Sequence, residues 1–288
     1  MSNVMGAVAD GDRLVEVACP NCGSRSRAPW AEERGFTLTK CADCGLLYVS
    51  PRLRDDLIDQ AVRSGVHAEE AQNLVVTARR DSNKVERYRK LFTRMFADLW
   101  VRPSVSWLDV GAGYGEVIEA VRSLAPRDSL VRGLEPMHPK AQSARLRGLD
   151  IEEAYLSPEH GPFDVVSTVD VFSHIPDFNA FLSVVRQVVR PGGDFFLETG
   201  NLADVSNRNE FADELGLPDH LVFAGESQLT QFLSRAGFEI VEIDRQRIDT
   251  PLFFAKTVAK KLLGRPAVVR LPYSSGYRSL RIRARRSG

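Results

Sequence analysis

Two sets of residues in this chain have the types and spacing to do chemistry. The first is Val105-Ser-Trp-Leu-Asp-Val-Gly-Ala-Gly-Tyr-Gly-Glu-Val117. Val105, Trp107, Leu108 and Val110 predict a strand covered on both faces, and Gly111, Gly113 and Gly115 predict a sharp turn on which a ligand lies against backbone. A helix over roughly 116–124 then presents unpaired N–H groups and a positive dipole end. Asp109, two residues before the first glycine, suits an ammonium group. A dinucleotide fingerprint needs G-x-G-x-x-G, and Glu116 stands where its third glycine belongs, so a carboxylate faces the place a diphosphate would occupy. A zwitterionic amino-acid moiety fits the pattern better. The alternative is a plain glycine turn in an α/β protein.

The second set is Cys19-Pro-Asn-Cys22 and Cys41-Ala-Asp-Cys44, which together make C-x2-C-x18-C-x2-C and use all four cysteines. Each C-x2-C turn brings two thiolates to one point, and four thiolates close a tetrahedral zinc shell with no position left for a substrate water. The expectation is a structural zinc ribbon over about residues 17–50, with free buried thiols or disulfides as the competing interpretation.

The strand ending in Asp109-Val-Gly-Ala-Gly-Tyr-Gly115 resembles the first motif, D-x-G-x-G-x-G, of the class I S-adenosylmethionine-dependent methyltransferases. Twenty residues past Gly115, Leu130-Val-Arg-Gly-Leu-Glu-Pro136 is a second short strand ending in an acid. The resemblance implies that Glu135 accepts both ribose hydroxyls of the cofactor, one carboxylate oxygen for each donor. It also implies adenine contacts from Tyr155 and Leu156, a pair that fits a core position equally well.

Phe163-Asp-Val-Val-Ser-Thr-Val-Asp-Val-Phe-Ser-His-Ile-Pro-Asp177 resembles the family's fourth strand and following loop, with Asp170 in place of the first acid, Ser173 in place of the second, and His174 kept. Cys41 to Arg52 resembles the zinc-binding region that precedes the methyltransferase domain in a set of bacterial enzymes, sugar C-methyltransferases among them. Ribosomal RNA guanine methyltransferases carry an N-terminal zinc module with a different ligand set. His220, in Leu217-Pro-Asp-His-Leu-Val-Phe223, resembles the position of the histidine of a Glu-His pair proposed as base in the sugar enzymes, with Asp219 replacing the glutamate.

These residues need elements to hold them. At 288 residues the chain has room for one full domain and a small appendage, and 43% hydrophobic with 26% charged residues is ordinary for a globular protein. No apolar run approaches a membrane span, and the polar start 1–14 has no signal-peptide core, so a cytoplasmic protein is expected. The net charge of zero hides an asymmetry: ten of the 38 basic residues and none of the 38 acids lie in 251–288. That tail is a candidate contact for an anion.

Residues 54–80 read as a linker helix or two. Val85, Tyr88, Leu91, Phe92, Met95, Phe96, Leu99 and Trp100 recur at helical spacing and predict an amphipathic helix over 83–101, capped by Ser82 or Asn83 and ended by Pro103. Further helices are expected over 139–147, 178–189 and 227–236, and strands over 150–154, 194–198, 238–243 and 278–285. The segment 251–277 reads as an insertion with an amphipathic stretch over 252–263, a lid or surface-binding helix or simply a solvated one. The alternating arginines of the last strand sit awkwardly inside a sheet and are expected to project past its end.

The fold class that follows is α/β: a Rossmann-like, mostly parallel seven-stranded sheet with one antiparallel member, preceded by a small zinc ribbon. The domain limits expected are 1–52 for the ribbon segment, 53–104 for a linker, and 105–288 for the cofactor-binding domain. The function expected is S-adenosylmethionine-dependent methylation of a small molecule, a sugar or glycoconjugate hydroxyl or carbon, with His220 as general base and His174 second. The basic tail would hold phosphates of a nucleotide- or lipid-linked acceptor. Methylation of RNA, using ribbon and tail, and a non-catalytic cofactor-binding module are the alternatives.

Overall fold

A computed structural model describes residues 13–67, 74–75, 79–211 and 213–288. The start of the chain and parts of the 54–80 linker therefore lie outside the described residues. The cysteine region forms β1 (Arg27–Glu33), β2 (Phe36–Cys41) and β3 (Leu47–Val49), an antiparallel set with Phe36, Leu38, Leu47 and Val49 buried. Leu14–Val15 pairs with Arg52–Leu53 and closes the unit.

The chain continues through α1 (Asp55–Ser64) to α2 (Ser82–Met95). The cap of α2 is Asp81, whose carboxylate accepts from Asn83 N at 2.9 Å. The helix stops at Met95, short of the expected 101, and Trp100 folds back to donate its Nε1 to the Phe92 carbonyl at 2.8 Å. The aromatic stripe is core: the Phe92 ring lies 5.1 Å from Trp107 and 5.1 Å from Phe196, and Phe96 lies 4.9 Å from Trp107.

Then come β4 (Ser106–Val110), α3 (Glu116–Arg122), β5 (Leu130–Leu134), α4 (His138–Arg145), β6 (Ile151–Glu152), β7 (Phe163–Val169), α5 (Phe178–Val188), β8 (Val189–Gly200), β9 (Val222–Phe223), α6 (Glu226–Arg235), β10 (Phe238–Arg247), α7 (Pro251–Leu262) and β11 (Arg278–Arg286). Among the described residues the large sheet has seven strands in the order β6-β5-β4-β7-β8-β11-β10. It is parallel from β6 to β8, and β11 runs antiparallel to both of its neighbours.

Two local expectations change. The third strand is two residues, 151–152, not five. Arg190 to Gly193 makes no separate loop: α5 passes directly into β8, with an irregularity between Val189 and Asp194 opposite β7 and Gly192 in the left-handed region at φ 73°. The strand β9, for which the sequence carries no expectation, pairs with β3 of the cysteine unit and not with the large sheet.

The arginines of β11 do not project past the sheet. Arg281 and Arg283 are each about one-twentieth exposed and point to one face. Arg281 meets Glu198 at 3.2 Å and Asp244 at 3.3 Å. Arg283 meets Asp194 at 2.5 Å and Asp98 at 2.7 Å, and lies 4.6 Å over the Phe96 ring. Arg285 closes on the other Asp194 oxygen at 3.0 Å. An interior strand tolerates such charges only because each guanidinium fork is filled by carboxylates, which repay its desolvation.

Six of the ten basic residues of the tail are therefore engaged within the fold. Arg270 pairs with Asp213, and Arg278 and Arg286 donate to backbone carbonyls. The cations left in solvent are those of α7 and its end, Lys256, Lys260, Lys261 and Arg265.

Removing Arg283 leaves the buried Asp194 carboxylate with the partly exposed Arg285 as its remaining cation. Arg283→Ala is expected to lower unfolding free energy by about 3–5 kcal/mol. Urea denaturation of the variant and of the exposed control Arg102→Ala checks this, the control staying within about 0.5 kcal/mol.

Candidate functional site

The glycine turn sits at the carboxyl end of β4, in the middle of the parallel strands. Gly111 N and Ala112 N both donate to the Leu134 carbonyl, at 2.8 and 2.9 Å, which pins the turn to the neighbouring strand. The three glycines do different work. A Cβ on Gly111 would lie 2.4 Å from Cγ2 of Val171, and one on Gly115 would lie 2.3 Å from Cδ1 of Leu149, so both are filled by packing. A Cβ on Gly113 would meet nothing within 4 Å. Only there is the backbone open to a ligand.

Two carboxylates flank that opening. Asp109 is buried, and its Oδ1 accepts from Ser167 Oγ at 2.6 Å, while Ser167 accepts from Trp107 Nε1 at 2.8 Å. Burial pushes the Asp109 carboxyl up to about 7, against the partial offset of the Ser167 hydroxyl and the Lys84 charge. Glu135, also buried, accepts Gly113 N at 2.7 Å on Oε2 and Met137 N at 2.9 Å on Oε1. Each of its oxygens keeps a second lone pair for a donor. Neither acid forms a salt bridge among the described residues.

Glu116, expected to face the ligand, is turned away. Its Oε1 accepts Asp81 N at 3.0 Å, tying the start of α2 to the cradle.

The other expected cofactor residues are less direct. Tyr155 is exposed at the end of β6, hydrogen-bonded to Asp59, with Arg63 4.8 Å over one ring face. Leu156 is half-buried against the core. Asp170, at φ 57°, ends β7 and pairs with Lys84 Nζ at 3.2 Å. Lys84 is missed by sequence reasoning, being one cation among many on α2.

Tyr277 is missed as well. A Cβ on Gly200 would fall 1.8 Å from its hydroxyl, so the ring rests on the carboxyl end of β8 beside the same cleft. Burial, with Asp170 next, pushes its phenol up to about 12. A glycine at a strand end, in Thr199-Gly-Asn201, is the one hint the sequence offers.

The two expected bases come together. Their rings lie 4.8 Å apart, edge to face, although 46 positions separate them in the chain. The loop from Asp170 to His174 is the link: Val171 packs on Gly111, and the Ser173 carbonyl accepts Leu221 N at 2.6 Å. Asp219, next to His220 in the chain, engages His174. His174 Nδ1 lies 3.2 Å from Asp219 Oδ1 and 3.0 Å from the Asp219 carbonyl. His220 Nδ1 lies 2.5 Å from the Leu215 carbonyl.

A carbonyl only accepts, so His220 Nδ1 carries the hydrogen and Nε2 of the neutral ring keeps its lone pair. Burial, then repulsion from His174, holds the His220 pKa below the usual histidine value. Burial opposes the charged ring of His174 too, but the Asp219 carboxylate outweighs it and its pKa is raised. His174, Asp219 and His220 each offer a ligand atom within 4.8 Å of the others. Both Nδ1 atoms and the carboxylate are engaged in hydrogen bonds or ion pairing, which leaves the two Nε2 atoms as the remaining ring nitrogens.

The four cysteines also meet. Cys19 and Cys44 Sγ are 3.5 Å apart, Cys22 and Cys41 Sγ 3.6 Å. A disulfide needs about 2.05 Å, whereas sulfurs at about 2.3 Å from one tetrahedral ion sit near these separations. The donor set fits zinc.

A family model described as a methyltransferase domain matches residues 78–243, which span the glycine cradle, Glu135, both histidines and the sheet to β10. The chain belongs to the methyltransferase-domain family. It carries the class I S-adenosylmethionine-dependent fold. Among curated relatives, the ubiquinone biosynthesis O-methyltransferase of Saccharophagus degradans is 29% identical over 154 residues, 47% of this chain and 64% of that protein. The protein of the same name from Escherichia coli O7:K1 is 33% identical over 101 residues, 33% of this chain and 42% of that protein. The chain thus spans less than two thirds of the length of either. Geranyl diphosphate C-methyltransferase from Streptomyces coelicolor A3(2) shares the fold with a TM-score of 0.52 at 13% identity, over 70% of this chain and 80% of that one.

Asp109 must be ionised to grip an ammonium group, and its deprotonated fraction rises as pH passes through about 7. Calorimetry with S-adenosylhomocysteine is expected to show affinity increasing between pH 6 and pH 8 by up to about ten-fold. Asp109→Asn removes both that slope and most of the binding.

Proposed function

We propose that this protein transfers a methyl group from S-adenosylmethionine to a hydroxyl of a small molecule, with a sugar or glycoconjugate as the acceptor class, and that His220 is the general base. The observation that carries the reading is the fixed tautomer of His220: a ring whose Nδ1–H is committed to the Leu215 carbonyl presents a basic Nε2.

Cofactor binding is supported by the donor and acceptor set of the cradle. Asp109 suits the ammonium of the methionine moiety, the lone pairs of Glu135 suit two adjacent ribose hydroxyls, and the open face of Gly113 admits the ligand. Bound there, S-adenosylmethionine supplies an electrophilic methyl on a sulfonium. His220 Nε2 would take the acceptor's hydroxyl proton and so free the oxygen lone pair to accept the methyl, the carbon–sulfur electrons passing to the donor's sulfur. His174, whose pKa Asp219 raises, disfavours a second positive charge on His220 when its own ring is protonated. The rest of the chain's task is to align the partners and exclude water.

An oxygen acceptor is favoured by the curated relatives, both named as O-methyltransferases. RNA as acceptor loses support, because the arginines of β11 are internal counter-ions. Zinc in the cysteine cluster is expected at about one ion per chain by elemental analysis.

His220→Ala is expected to lower methyl incorporation from labelled cofactor by a factor of about 10²–10⁴ at saturating cofactor while leaving S-adenosylhomocysteine binding intact. Undiminished incorporation across pH 6 to 9 sinks the assignment. In the wild type the base is active above its pKa, which lies below 6.5, so the acid limb of the rate profile falls below that pH. His174→Ala removes the neighbouring cation and moves that limb upward.

A further inference from the structure

The hairpin joining β1 to β2 reaches across to the loop that carries His220. Glu33, the last residue of β1, accepts three consecutive backbone N–H groups: Leu215 at 2.7 Å on Oε2, and Gly216 at 2.7 Å and Leu217 at 3.0 Å on Oε1. Arg34 completes the clamp, with Nη1 2.9 Å from Glu33 Oε1 and 3.2 Å from the Leu217 carbonyl, and Nη2 2.6 Å from Glu214. A carboxylate bridging successive amides fixes their backbone angles far more firmly than water does.

The held residues are the ones that place the base. The Leu215 carbonyl receives His220 Nδ1, and the Gly216 carbonyl receives His220 N at 3.0 Å. On the far side of His220, Val49 N donates to the Leu221 carbonyl at 2.9 Å, and Val222 and Phe223 pair with Tyr48 and Leu47 of β3. The cysteine unit therefore grips the 215–223 segment from both ends.

A second observation is independent of these bonds. The hairpin turn is Arg34-Gly35, with φ at 49° and 79°. Two-residue turns of this kind favour Asn-Gly or Gly-Gly, and an arginine in the left-handed region brings its Cβ against the following carbonyl. The strained residue is the one whose guanidinium completes the clamp, as expected where local strain is kept for a task.

We propose that the cysteine unit is a working part of the acceptor site, and that Glu33 is a positioning residue for His220. Its integrity then governs proton removal from the acceptor and leaves the cofactor cradle, on the other side of Val171, unaffected. The proposal rests on His220 as the base.

The test uses the full-length, zinc-replete chain labelled with ¹⁵N-histidine, as wild type, Glu33→Gln, Glu33→Ala and His220→Gln. Glutamine keeps one acceptor oxygen and alanine none. S-adenosylhomocysteine affinity should stay within about two-fold in both Glu33 variants, the cradle being remote from the change. Amide exchange at 215–217 should speed up by roughly ten-fold or more, alanine exceeding glutamine. The imidazole nitrogen shifts of His220, assigned through His220→Gln, should lose the fixed Nδ1–H form, and its titration should move. His174, Asp219 and Asp170 face that ring unchanged in every Glu33 variant.

Methyl incorporation from labelled cofactor in cell extract should fall by up to about 100-fold, the cost of a misplaced catalytic group. An unchanged His220 tautomer and titration in Glu33→Gln overturns the proposal, as does loss of S-adenosylhomocysteine affinity in step with it. If alanine prevents folding, the glutamine variant decides. Wild type that binds no S-adenosylhomocysteine fails the cradle instead, and His220→Gln that still transfers methyl fails the base assignment and with it the inference.

Discussion

Burying a carboxylate is the constraint around which this molecule is arranged. The large sheet and its first helix bury Asp109, Glu116, Glu135, Asp194 and Glu198, and each must find donors or remain neutral. Asp194 and Glu198 meet arginines of β11. Glu116 meets the backbone at the start of α2. Asp109 and Glu135 receive only a hydroxyl and backbone amides, all neutral. The first group is electrostatically closed and holds the sheet together. The second group is open, and it lines the glycine turn at Gly113, where an added Cβ would meet nothing within 4 Å.

That division separates structure from function without reference to position in the chain. A buried acid raised to about 7 is a poor stabiliser and a good receptor for a cation. The same logic runs through the histidines. His174 has a carboxylate beside it and its pKa is raised, while His220 is buried on a carbonyl and its pKa is lowered. Two rings of one residue type are driven apart in basicity by what each Nδ1 touches.

The cysteine unit and the sheet are joined through a piece of chain that belongs to both. The residues between β8 and α6 leave the sheet, supply His220, and lend β9 to the smaller sheet before returning. Further ties come from Gln228 Nε2, which donates to the Cys44 carbonyl at 2.6 Å, and from Asn21, which bonds Gln231 at 3.1 Å and Arg235 at 2.6 Å. Fixing four thiols at one point thus fixes a wall of the cleft some 180 residues later.

The amino-acid sequence determined whatever depends on neighbours along the chain. The period-two and 3.6-residue patterns, the glycine spacing and the cysteine spacing are local, and they gave the α/β class, the cradle from Asp109 to Gly115, Glu135 one strand over, and the four-thiol cluster. Only the tertiary structure decided the rest, because it turns on partners far apart in sequence. Nothing local says that the arginines of β11 find Asp98, Asp194, Glu198 and Asp244, and so a strand that looked too charged for the interior lies within it. Nothing local says that Asp219 chooses His174 over its neighbour His220, or that Glu33 reaches Leu215 to Leu217. Backbone periodicity is written in adjacent residues, whereas charge compensation is settled by whichever groups the folded chain brings within about 3 Å.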